Sequence, residues 1–482
     1  MKMFINGKAV DASDGGVIAV VNPATGKAFD SVPAATEKDV DLAVSAAVAG
    51  EKEWASVPLH KRMAMMQKFI DLVMEEENHK KLAMTQCLEI GKPYKESYND
   101  FGGFKAHIEG FISAARNNLT GTVLPFGCQA GLENDFDISV REPLGTIVGI
   151  IPFNAPLTLF AKKVTPALLT GNCCIVKPAS DDPLTVLQLS ELMYQAGFPG
   201  YAYQCLTGTG ETVGNWLSAD KRIAGVSFTG STAAGEKVAE NCGRNLKFQS
   251  LELGGNAPMI ICADADVDLS VREASASRAF YLSGQICSVP KRFIVHRSIH
   301  DEFVKKLLKR LAECKVGDPM DPETNMGTLI SEKAAMRVES QVNTAIAQGA
   351  KLLMGNERHG AYYGPTVLDG VDRSMDIAHD IEVFGPVFPI MTFDTLEEAM
   401  AMANDTKYGL GACIMTRDIP LGFKCARELE AGNVVINGQS LYRNLLTPYG
   451  ANKASGIGRE GQTQTLLAMT RYKNIVFKHI FD

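Results

Sequence analysis

The sequence predicts an α/β protein with doubly wound parallel sheets, on three grounds. From Thr146 onward, short apolar runs alternate with helical patterns, an order typical of a parallel sheet covered by helices. A second series of the same kind runs from Met259 to about Leu429. The chain has 482 residues, which is enough for two or three domains.

Helix-capping residues and helix-breaking residues predict where the individual helices and strands begin and end. Thr36 begins a helical pattern, with Asp39 as its partner in an approximate capping box. The stretch 60–90 predicts a long helix that Gly91 closes, and the helical pattern then continues over 94–117. The strands of the first series are expected at 147–151, 174–176, 203–206 and 225–228, with helices at about 157–169, through 196 and near 211–217.

Composition limits the class of function. Hydrophobic residues make up 46% and charged residues 21% of the chain, as in ordinary globular proteins. The net charge of −7 argues against nucleic acid or an anionic membrane as partner. Because we find no apolar leader and no run of membrane-spanning length, we expect a cytoplasmic protein. The eleven cysteines lack metal-site spacing, so we expect reduced thiols and no metal.

Two short motifs carry the strongest chemical signal: Leu251-Glu252-Leu253-Gly254-Gly255 and Gly284-Gln285-Ile286-Cys287. A thiolate can trap a carbonyl covalently, and a carboxylate base can activate the water that hydrolyses the adduct. A helix start or polar backbone is expected to lower the thiol pKa, and apolar neighbours are expected to raise the pKa of Glu252. The paired glycines indicate a close backbone approach. Taken singly, Cys287 could be a buried cysteine and Glu252 a surface residue.

Further polar residues follow predicted strands, where ligands of parallel sheets bind. Asn154 can donate to a developing oxyanion, or it is a turn residue. Lys177 can bind ribose hydroxyls, or it is a solvated loop lysine. Gly230 and Ser231 begin a helix whose N–H groups can hold a pyrophosphate, although an ordinary helix cap explains them equally well.

The segment Glu382-Val383-Phe384 places a carboxylate and an aromatic ring two residues apart. In a strand both side chains would point to one face, which suits a ribose and a nicotinamide ring. An edge strand with a core phenylalanine is the alternative.

These motifs resemble those of the aldehyde dehydrogenase superfamily, and the resemblance covers nearly the whole chain. In order, the matching segments are Pro-Phe-Asn at 152–154, Lys-Pro-Ala at 177–179, Phe-Thr-Gly-Ser at 228–231, Glu-Leu-Gly-Gly at 252–255, Gly-Gln-Ile-Cys at 284–287, Glu-Val-Phe-Gly-Pro at 382–386 and Ser-Gly-Ile-Gly-Arg-Glu at 455–460. Three segments depart from the family pattern: Phe153 replaces a tryptophan, Ser180 a glutamate, and Tyr449-Gly450-Ala451-Asn452-Lys453 a Phe-Gly-Gly form.

The resemblance implies a mechanism and a cofactor, NAD or NADP. Cys287 attacks the aldehyde, Asn154 and the Cys287 N–H hold the oxyanion, hydride passes to the nicotinamide, and Glu252 activates water. The residues expected at the cofactor are Lys177, Ser180, Gly210, Gly230, Ser231, Glu382 and Phe384. Because Ser180 stands where strict NAD users carry glutamate, use of NADP becomes plausible.

The resemblance also implies a substrate class. Lys162 and Arg443 fall where relatives such as lactaldehyde, phosphonoacetaldehyde and succinate-semialdehyde dehydrogenases bind an anionic tail. We therefore expect a small polar aldehyde that carries an anion, since arginine holds such groups in a fork geometry. The alternative is that both residues are solvated surface charges.

The resemblance further implies a Rossmann-like cofactor domain over 1–120 and 144–253 and a catalytic domain over 254–450. Segments 121–143 and 464–482 are expected to form a small β oligomerisation extension, giving a homodimer or homotetramer. Two other functions stay open: a coenzyme A-acylating semialdehyde dehydrogenase, which Glu252 argues against, and a non-catalytic binding or structural protein that retains the fold.

Overall fold

The computed structural model describes residues 1–127, 129–450 and 452–480, so Cys128, Ala451 and the end of the predicted extension lie outside it. The α-helices of the described residues are α1 (Glu37–Ser56), α2 (Leu59–Met74), α3 (Glu76–Ile90), α4 (Tyr94–Asn118), α5 (Pro156–Leu169), α6 (Leu184–Ala196), α7 (Asn215–Ala219), α8 (Thr232–Arg244), α9 (Val267–Ala276), α10 (His300–Leu311), α11 (Glu332–Ala347), α12 (Leu396–Asn404), α13 (Ile419–Glu428) and α14 (Gln462–Ala468).

The strands of the described residues are β1 (Met3–Ile5), β2 (Lys8–Val10), β3 (Val17–Asn22), β4 (Lys27–Pro33), β5 (Thr122–Val123), β6 (Phe136–Pro143), β7 (Thr146–Ile150), β8 (Cys173–Lys177), β9 (Tyr203–Cys205), β10 (Gly225–Thr229), β11 (Phe248–Glu252), β12 (Ala257–Ile261), β13 (Pro290–His296), β14 (Lys351–Met354), β15 (Arg358–His359), β16 (Tyr362–Tyr363), β17 (Thr366–Asp369), β18 (Val387–Phe393), β19 (Tyr408–Gly409), β20 (Gly411–Met415), β21 (Asn433–Ile436), β22 (Asn452–Lys453), β23 (Gly456–Ile457) and β24 (Thr470–Phe477).

Two large sheets carry the predicted alternation. The first has the order β2-β1-β9-β8-β7-β10-β11-β23, with strands β9 to β11 parallel and antiparallel strands at both edges. The second has the order β14-β17-β18-β13-β12-β20-β21 and is parallel from β17 to β21. Strands β7, β8, β10 and β12 are buried throughout, as expected where helices cover both faces.

A three-stranded sheet of order β24-β6-β5 forms a separate extension. Strands β24 and β6 pair antiparallel over eight residues, from Thr470 opposite Pro143 to Phe477 opposite Phe136. Several apolar side chains of β24, among them Val476 and Phe477, are exposed. These strands fall in the two segments expected to form the extension, and their role in oligomerisation stays a prediction.

The N-terminal helices confirm the predicted caps but not their continuity. Thr36 and Asp39 form the reciprocal capping box, and Gly91 adopts the left-handed conformation with φ of +68°. The single helix expected over 60–90 is two helices, because Glu75 has an extended ψ of 132° and ends α2. No helix of the described residues is long and apolar enough to cross a membrane.

The glycine at position 235 sets how closely helix α8 lies against the end of the first sheet. A Cβ placed on Gly235 would lie 2.2 Å from Leu253 Cδ2. We predict that Gly235→Val moves α8 and lowers the free energy of unfolding by about 1–3 kcal/mol, since overpacking forces backbone shifts. Urea unfolding followed by circular dichroism measures this.

A matched control lies on the same helix. A Cβ on Gly243 would meet nothing within 4 Å, so Gly243→Ala should leave the unfolding midpoint unchanged or raise it through better helix propensity. Equal midpoints for Gly235→Val and the parent protein would contradict the proposed close packing.

Candidate active site

The site forms where the chain leaves the first sheet and enters the second. Glu252 is the last residue of β11, and only residues 253–256 separate it from β12. A Cβ on Gly255 would lie 2.7 Å from the carbonyl oxygen of Cys287. Glycine is therefore needed for the two backbones to approach, and the predicted close approach brings the base motif against the nucleophile motif.

The loop before Cys287 has an unusual backbone. Leu282, Ser283 and Gly284 have φ values of 51°, 50° and 70°, in the left-handed region that side chains other than glycine disfavour. Hydrogen bonds hold this conformation: the Ser283 hydroxyl donates to Thr328 O at 3.2 Å. Strain of this kind persists only where the surroundings fix it, and it is common at active sites.

Helix α4 and the residues before it anchor the same loop from the other side. The Tyr281 hydroxyl donates to Asp100 Oδ1 at 2.9 Å, and the buried Lys92 ammonium donates to Asp100 Oδ2 at 2.5 Å. The Leu282 N–H donates to Glu96 Oε2 at 3.2 Å. The approach to Cys287 is thus fixed by charged groups that lie more than 180 residues earlier in the chain.

Burial raises the pKa of the Cys287 thiol, and the nearby Lys291 and Arg443 cations oppose that rise. The expectation that a helix start lowers this pKa is therefore wrong: Cys287 follows a short 3-10 turn and precedes strand β13. Its thiolate depends on side-chain cations rather than on a helix N-terminus.

Glu252 is 4% exposed, and its Oε1 has no hydrogen-bond partner within the described residues. Burial raises its pKa to about 8; Glu460 adds to this, whereas Arg443, Lys162 and Lys163 oppose it. The direction is the one that the apolar neighbours predicted. A carboxyl group with this pKa is suited to take a proton near neutral pH.

Asn154 lies beyond the end of β7, and its side-chain amide donates to Gln285 O at 2.9 Å. The structure thus brings Asn154 to the loop that leads into Cys287. An amide group has two N–H donors, so the second can serve an oxyanion.

Three cations surround one buried carboxylate beside Glu252. Lys162 Nζ lies 3.1 Å and Lys163 Nζ 3.5 Å from the Glu460 carboxylate, and Arg443 Nη1 lies 3.9 Å from it. The side chains of Lys162 and Lys163 are 9% and 0% exposed; burial lowers the pKa of both lysines, and the Glu460 carboxylate opposes that shift. Burial acts to raise the pKa of Glu460, but the three cations lower it to about 2. The alternative that Lys162 is a solvated charge is wrong.

Arg443 is also more enclosed than a surface residue, with its side chain 25% exposed. Its guanidinium lies 3.3 Å from the centroid of the Tyr449 ring, a cation–π contact. His107 lines the same cleft, and burial together with Lys162 and Arg443 lowers its pKa to about 3, so it is neutral. The cleft therefore presents net positive charge.

Five of the residues expected at the cofactor, Lys177, Ser180, Gly210, Gly230 and Ser231, end or follow strands of the first sheet. Lys177 ends β8, is 3% exposed, and donates to Pro178 O at 2.8 Å; the solvated alternative is wrong. Ser231 caps α8, so the helix-cap interpretation is correct, and this does not exclude phosphate binding. Gly230 precedes it, whereas Ser180 follows β8 and Gly210 begins a short turn of helix.

Two observations test whether these residues fit a dinucleotide. The buried hydroxyls of Thr229 and Thr232, on either side of Gly230, have no hydrogen-bond partner within the described residues. Thr232 is the first residue of α8, and helix N-termini bind phosphate. The donors present therefore fit a pyrophosphate.

Glu382 and Phe384 lie in a loop, not in the strand that their spacing suggested. The Arg278 guanidinium holds this loop by donating to Val383 O and Val387 O, both at 2.9 Å. Glu382 Oε1 accepts from Gly255 N at 3.1 Å, and the Phe384 ring contacts Phe153 edge to face. Glu382 thus lies near Cys287 through a loop rather than a strand, since Lys291, which donates to Cys287 O, is 3.3 Å from its carboxylate.

Comparison with known proteins decides the family. Residues 10–475 match the model of the aldehyde dehydrogenase family. The chain is 36% identical over 461 residues to a mitochondrial succinate-semialdehyde dehydrogenase of rice (Oryza sativa subsp. japonica), which covers 95% of this chain and 86% of that protein. It is 35% identical over 461 residues to the succinate-semialdehyde dehydrogenase [NADP(+)] of Escherichia coli (strain K12), covering 95% and 94%. The chain belongs to the aldehyde dehydrogenase family.

A solved structure agrees with this assignment. Betaine aldehyde dehydrogenase from Staphylococcus aureus, in complex with NAD+, has a TM-score of 0.94 at 32% identity, covering 99% of this chain and 95% of that chain. The predicted family, fold class and activity are thereby confirmed, and so is the nicotinamide class of cofactor. The roles of individual residues in this aldehyde dehydrogenase stay predictions.

Sequence reasoning missed several residues of the site. Glu460 and Tyr449 belong to segments compared with the family pattern, but the sequence assigned them no role. Lys291 and His107 belong to none of these segments. Lys291 lies four residues after Cys287, so its spacing could have drawn attention to it. His107 meets the site through tertiary packing of α4, which no local pattern indicates.

Removing the Glu460 charge should strongly destabilise the protein. We predict that Glu460→Gln lowers the free energy of unfolding by about 3–5 kcal/mol at neutral pH, because it leaves buried cations without compensation. Since the pKa of Glu460 is lowered to about 2, the stability that it contributes is lost as pH falls toward that value. Urea unfolding at several pH values measures both effects.

The exposed pair of Glu302 and Lys306, with oxygen and nitrogen 2.8 Å apart, offers the control. Glu302→Gln should leave the unfolding midpoint nearly unchanged, since surface ion pairs contribute little. If the Glu460→Gln protein were as stable as this control, the charge of Glu460 would not be needed to compensate the buried cations.

Proposed function

We propose that this aldehyde dehydrogenase oxidises a small aldehyde bearing an anionic group to the carboxylic acid, with Cys287 as nucleophile and Glu252 as hydrolytic base. The observation that carries the proposal is the cluster of Lys162, Lys163 and Arg443 around the single carboxylate of Glu460, beside Glu252. Burial lowers the pKa of both lysines and Glu460 opposes this, whereas the pKa of Arg443 is raised, so Arg443 is the cation of the cleft best suited to an anionic ligand.

The first half of the reaction uses the thiol. The Cys287 thiolate attacks the aldehyde carbon, a C–S bond forms, and the carbonyl π electrons move to oxygen. The side-chain amide of Asn154 and the N–H of Cys287 hold this oxyanion, as donors aimed at developing charge do. A bound nicotinamide would supply the acceptor for the hydride that the carbon loses as the thioester forms.

The second half uses Glu252. Its carboxylate takes a proton from water, the hydroxide adds to the thioester carbon, and the C–S bond then breaks to release the acid and the Cys287 thiolate. This buried base beside the thiol supports hydrolysis over transfer to coenzyme A. A non-catalytic role is set aside by the family assignment and the assembled site.

The residues that would hold the cofactor are Lys177 at the ribose, Gly210, Gly230 and Ser231 at the phosphates, and Glu382 and Phe384 at the nicotinamide end. Ser180 carries no charge, so it would not repel a 2′-phosphate as a carboxylate would. This supports use of NADP as well as NAD, and the Escherichia coli relative is named for NADP(+).

The assembly and the location are parts of the same proposal. We infer a homodimer or homotetramer that forms through the extension of β5, β6 and β24, whose exposed apolar residues support this role. A cytoplasmic location stays a prediction from the sequence.

The anion preference has a direct test. We predict that Arg443→Ala lowers kcat/KM for succinate semialdehyde by about 10–100-fold, because hydrogen bonds to charged groups contribute about 1.5–3 kcal/mol. The kcat/KM for a neutral aldehyde of equal length should fall much less. Initial rates with each aldehyde, and with both NAD+ and NADP+, measure this.

Arg417→Ala is the matched control, since Arg417 is 72% exposed and its ion-pair partner is Asp266, outside the candidate site. This substitution should leave kcat/KM unchanged for both the anionic and the neutral aldehyde. If Arg443→Ala lowered kcat/KM for both aldehydes by the same factor, the proposal of an anionic substrate would be wrong, even though the enzyme remained an aldehyde dehydrogenase.

The role of Glu252 predicts a separation of the two half-reactions. In Glu252→Gln, thioester hydrolysis should slow by about 10²–10⁴-fold, the usual contribution of a general base. One equivalent of NAD(P)H per site should still appear in a rapid burst. Because the pKa of Glu252 is raised to about 8, the wild-type hydrolysis rate should rise with pH until about 8 and then level off.

Stopped-flow fluorescence of NAD(P)H measures the burst and the steady state together. Glu240→Gln, at an exposed position on α8, is the control and should behave as wild type. Unchanged steady-state turnover in Glu252→Gln would exclude Glu252 as the base.

A further inference from the structure

Lys291 is a buried cation at the nucleophile that takes no part in either half of the proposed reaction. It lies at the start of β13, and its side chain is 1% exposed. Its ammonium donates to Ile286 O at 2.8 Å and to Cys287 O at 2.6 Å, and it lies 3.3 Å from Glu382 Oε1. An ammonium has three donors, so these three acceptors satisfy it completely.

Stability alone does not explain this choice of residue. A buried ion pair is often no more stabilising than well-packed apolar side chains, because both charges lose their hydration. A lysine here therefore needs another reason, and its acceptors indicate one. Two of them are carbonyls of the catalytic loop, and the third is the loop carboxylate expected to contact the cofactor.

The geometry of the peptide bond connects Lys291 to the oxyanion. The carbonyl of Ile286 and the N–H of Cys287 belong to one peptide group, which is planar and trans, so they point in opposite directions. Fixing Ile286 O toward Lys291 therefore fixes the Cys287 N–H away from it. A cation on the carbonyl also polarises the peptide and strengthens its N–H as a donor.

We propose that Lys291 is a positioning residue that orients and polarises the Ile286–Cys287 peptide, so that the Cys287 N–H faces the oxyanion. Its contact with Glu382 fixes the position of this peptide relative to the loop expected to contact the cofactor. This inference rests on the proposed function, since it requires Cys287 to be the nucleophile.

The surroundings keep the ammonium charged at neutral pH. Burial lowers the pKa of Lys291 to about 8, Glu382 and Cys287 oppose this, and Arg278 adds to it. The same charge lies beside the thiol, where it favours the thiolate. Lys291 thus acts on both the N–H and the sulfur of one residue.

Replacing Lys291 with Met tests the inference in the full-length enzyme. We expect kcat to fall at least tenfold while KM for succinate semialdehyde changes less than about threefold, because an oxyanion donor acts mainly in the transition state. Alkylation of Cys287 by iodoacetamide, without aldehyde or cofactor, should slow about tenfold at neutral pH, as one unit of thiol pKa implies.

Lys247→Met is the matched control. Lys247 is also buried and donates to two carbonyls, Ser218 O and Asp220 O, both at 2.6 Å, but it lies at the opposite end of β11 from Glu252. It should leave kcat and alkylation unchanged. The inference is overturned if Lys291→Met keeps wild-type kcat and alkylation, or if Lys247→Met reproduces its losses.

Two further variants keep the outcomes distinct. If Lys291→Met does not fold, Lys291→Gln is the replacement, since it retains amide donors without the charge. Alkylation of Cys287 in Lys291→Gln should be as slow as expected for Lys291→Met. A pH profile of Cys287 alkylation equal to that of the wild type would overturn the inference. If Cys287→Ala retains turnover, the proposed function fails and this inference with it. If Cys287→Ala is inactive while Lys291→Met is fully active, the Lys291 inference alone fails.

Discussion

The site depends on a close approach between two segments that lead into neighbouring strands of the second sheet, β12 and β13, one of which arrives directly from the first sheet. Residues 253–256 carry the chain from β11 to β12, and Gly255 lies so near the Cys287 carbonyl that any side chain would collide with it. That contact places a carboxylate at the end of one sheet beside a thiol that precedes a strand of the other. The left-handed turn at 282–284 then completes the approach, and its strain is held by hydrogen bonds to distant residues.

Sequence patterns predicted the scaffold because local chemistry decides it. The buried strand β7, the capping box at Thr36 and the left-handed Gly91 follow from apolar runs and backbone preferences. The break at Glu75 was not predictable, since neither glycine nor proline marks it. The loop conformation of Glu382 was likewise hidden, because it is fixed by Arg278 from a distant part of the chain.

The candidate site divides in the same way. Glu252, Cys287 and Asn154 stand in motifs and could be predicted, whereas the cluster around Glu460 joins residues 298 positions apart through packing alone. The direction of the Cys287 pKa was wrongly expected for a related reason. A short sequence shows a nearby turn, but it does not show how deeply the thiol is buried or which cations face it.

The basic residues proposed to bind the substrate also act on the pKa of the proposed base. Arg443, Lys162 and Lys163 lower the pKa of Glu252, while burial and Glu460 raise it. An anion bound at Arg443 would offset part of the cationic field and so raise the pKa of Glu252 further, making it a stronger base but a less ionised one. Release of the acid product would reverse that shift. The charge proposed to recognise the substrate therefore also shifts the pKa of Glu252, the group proposed to complete the reaction.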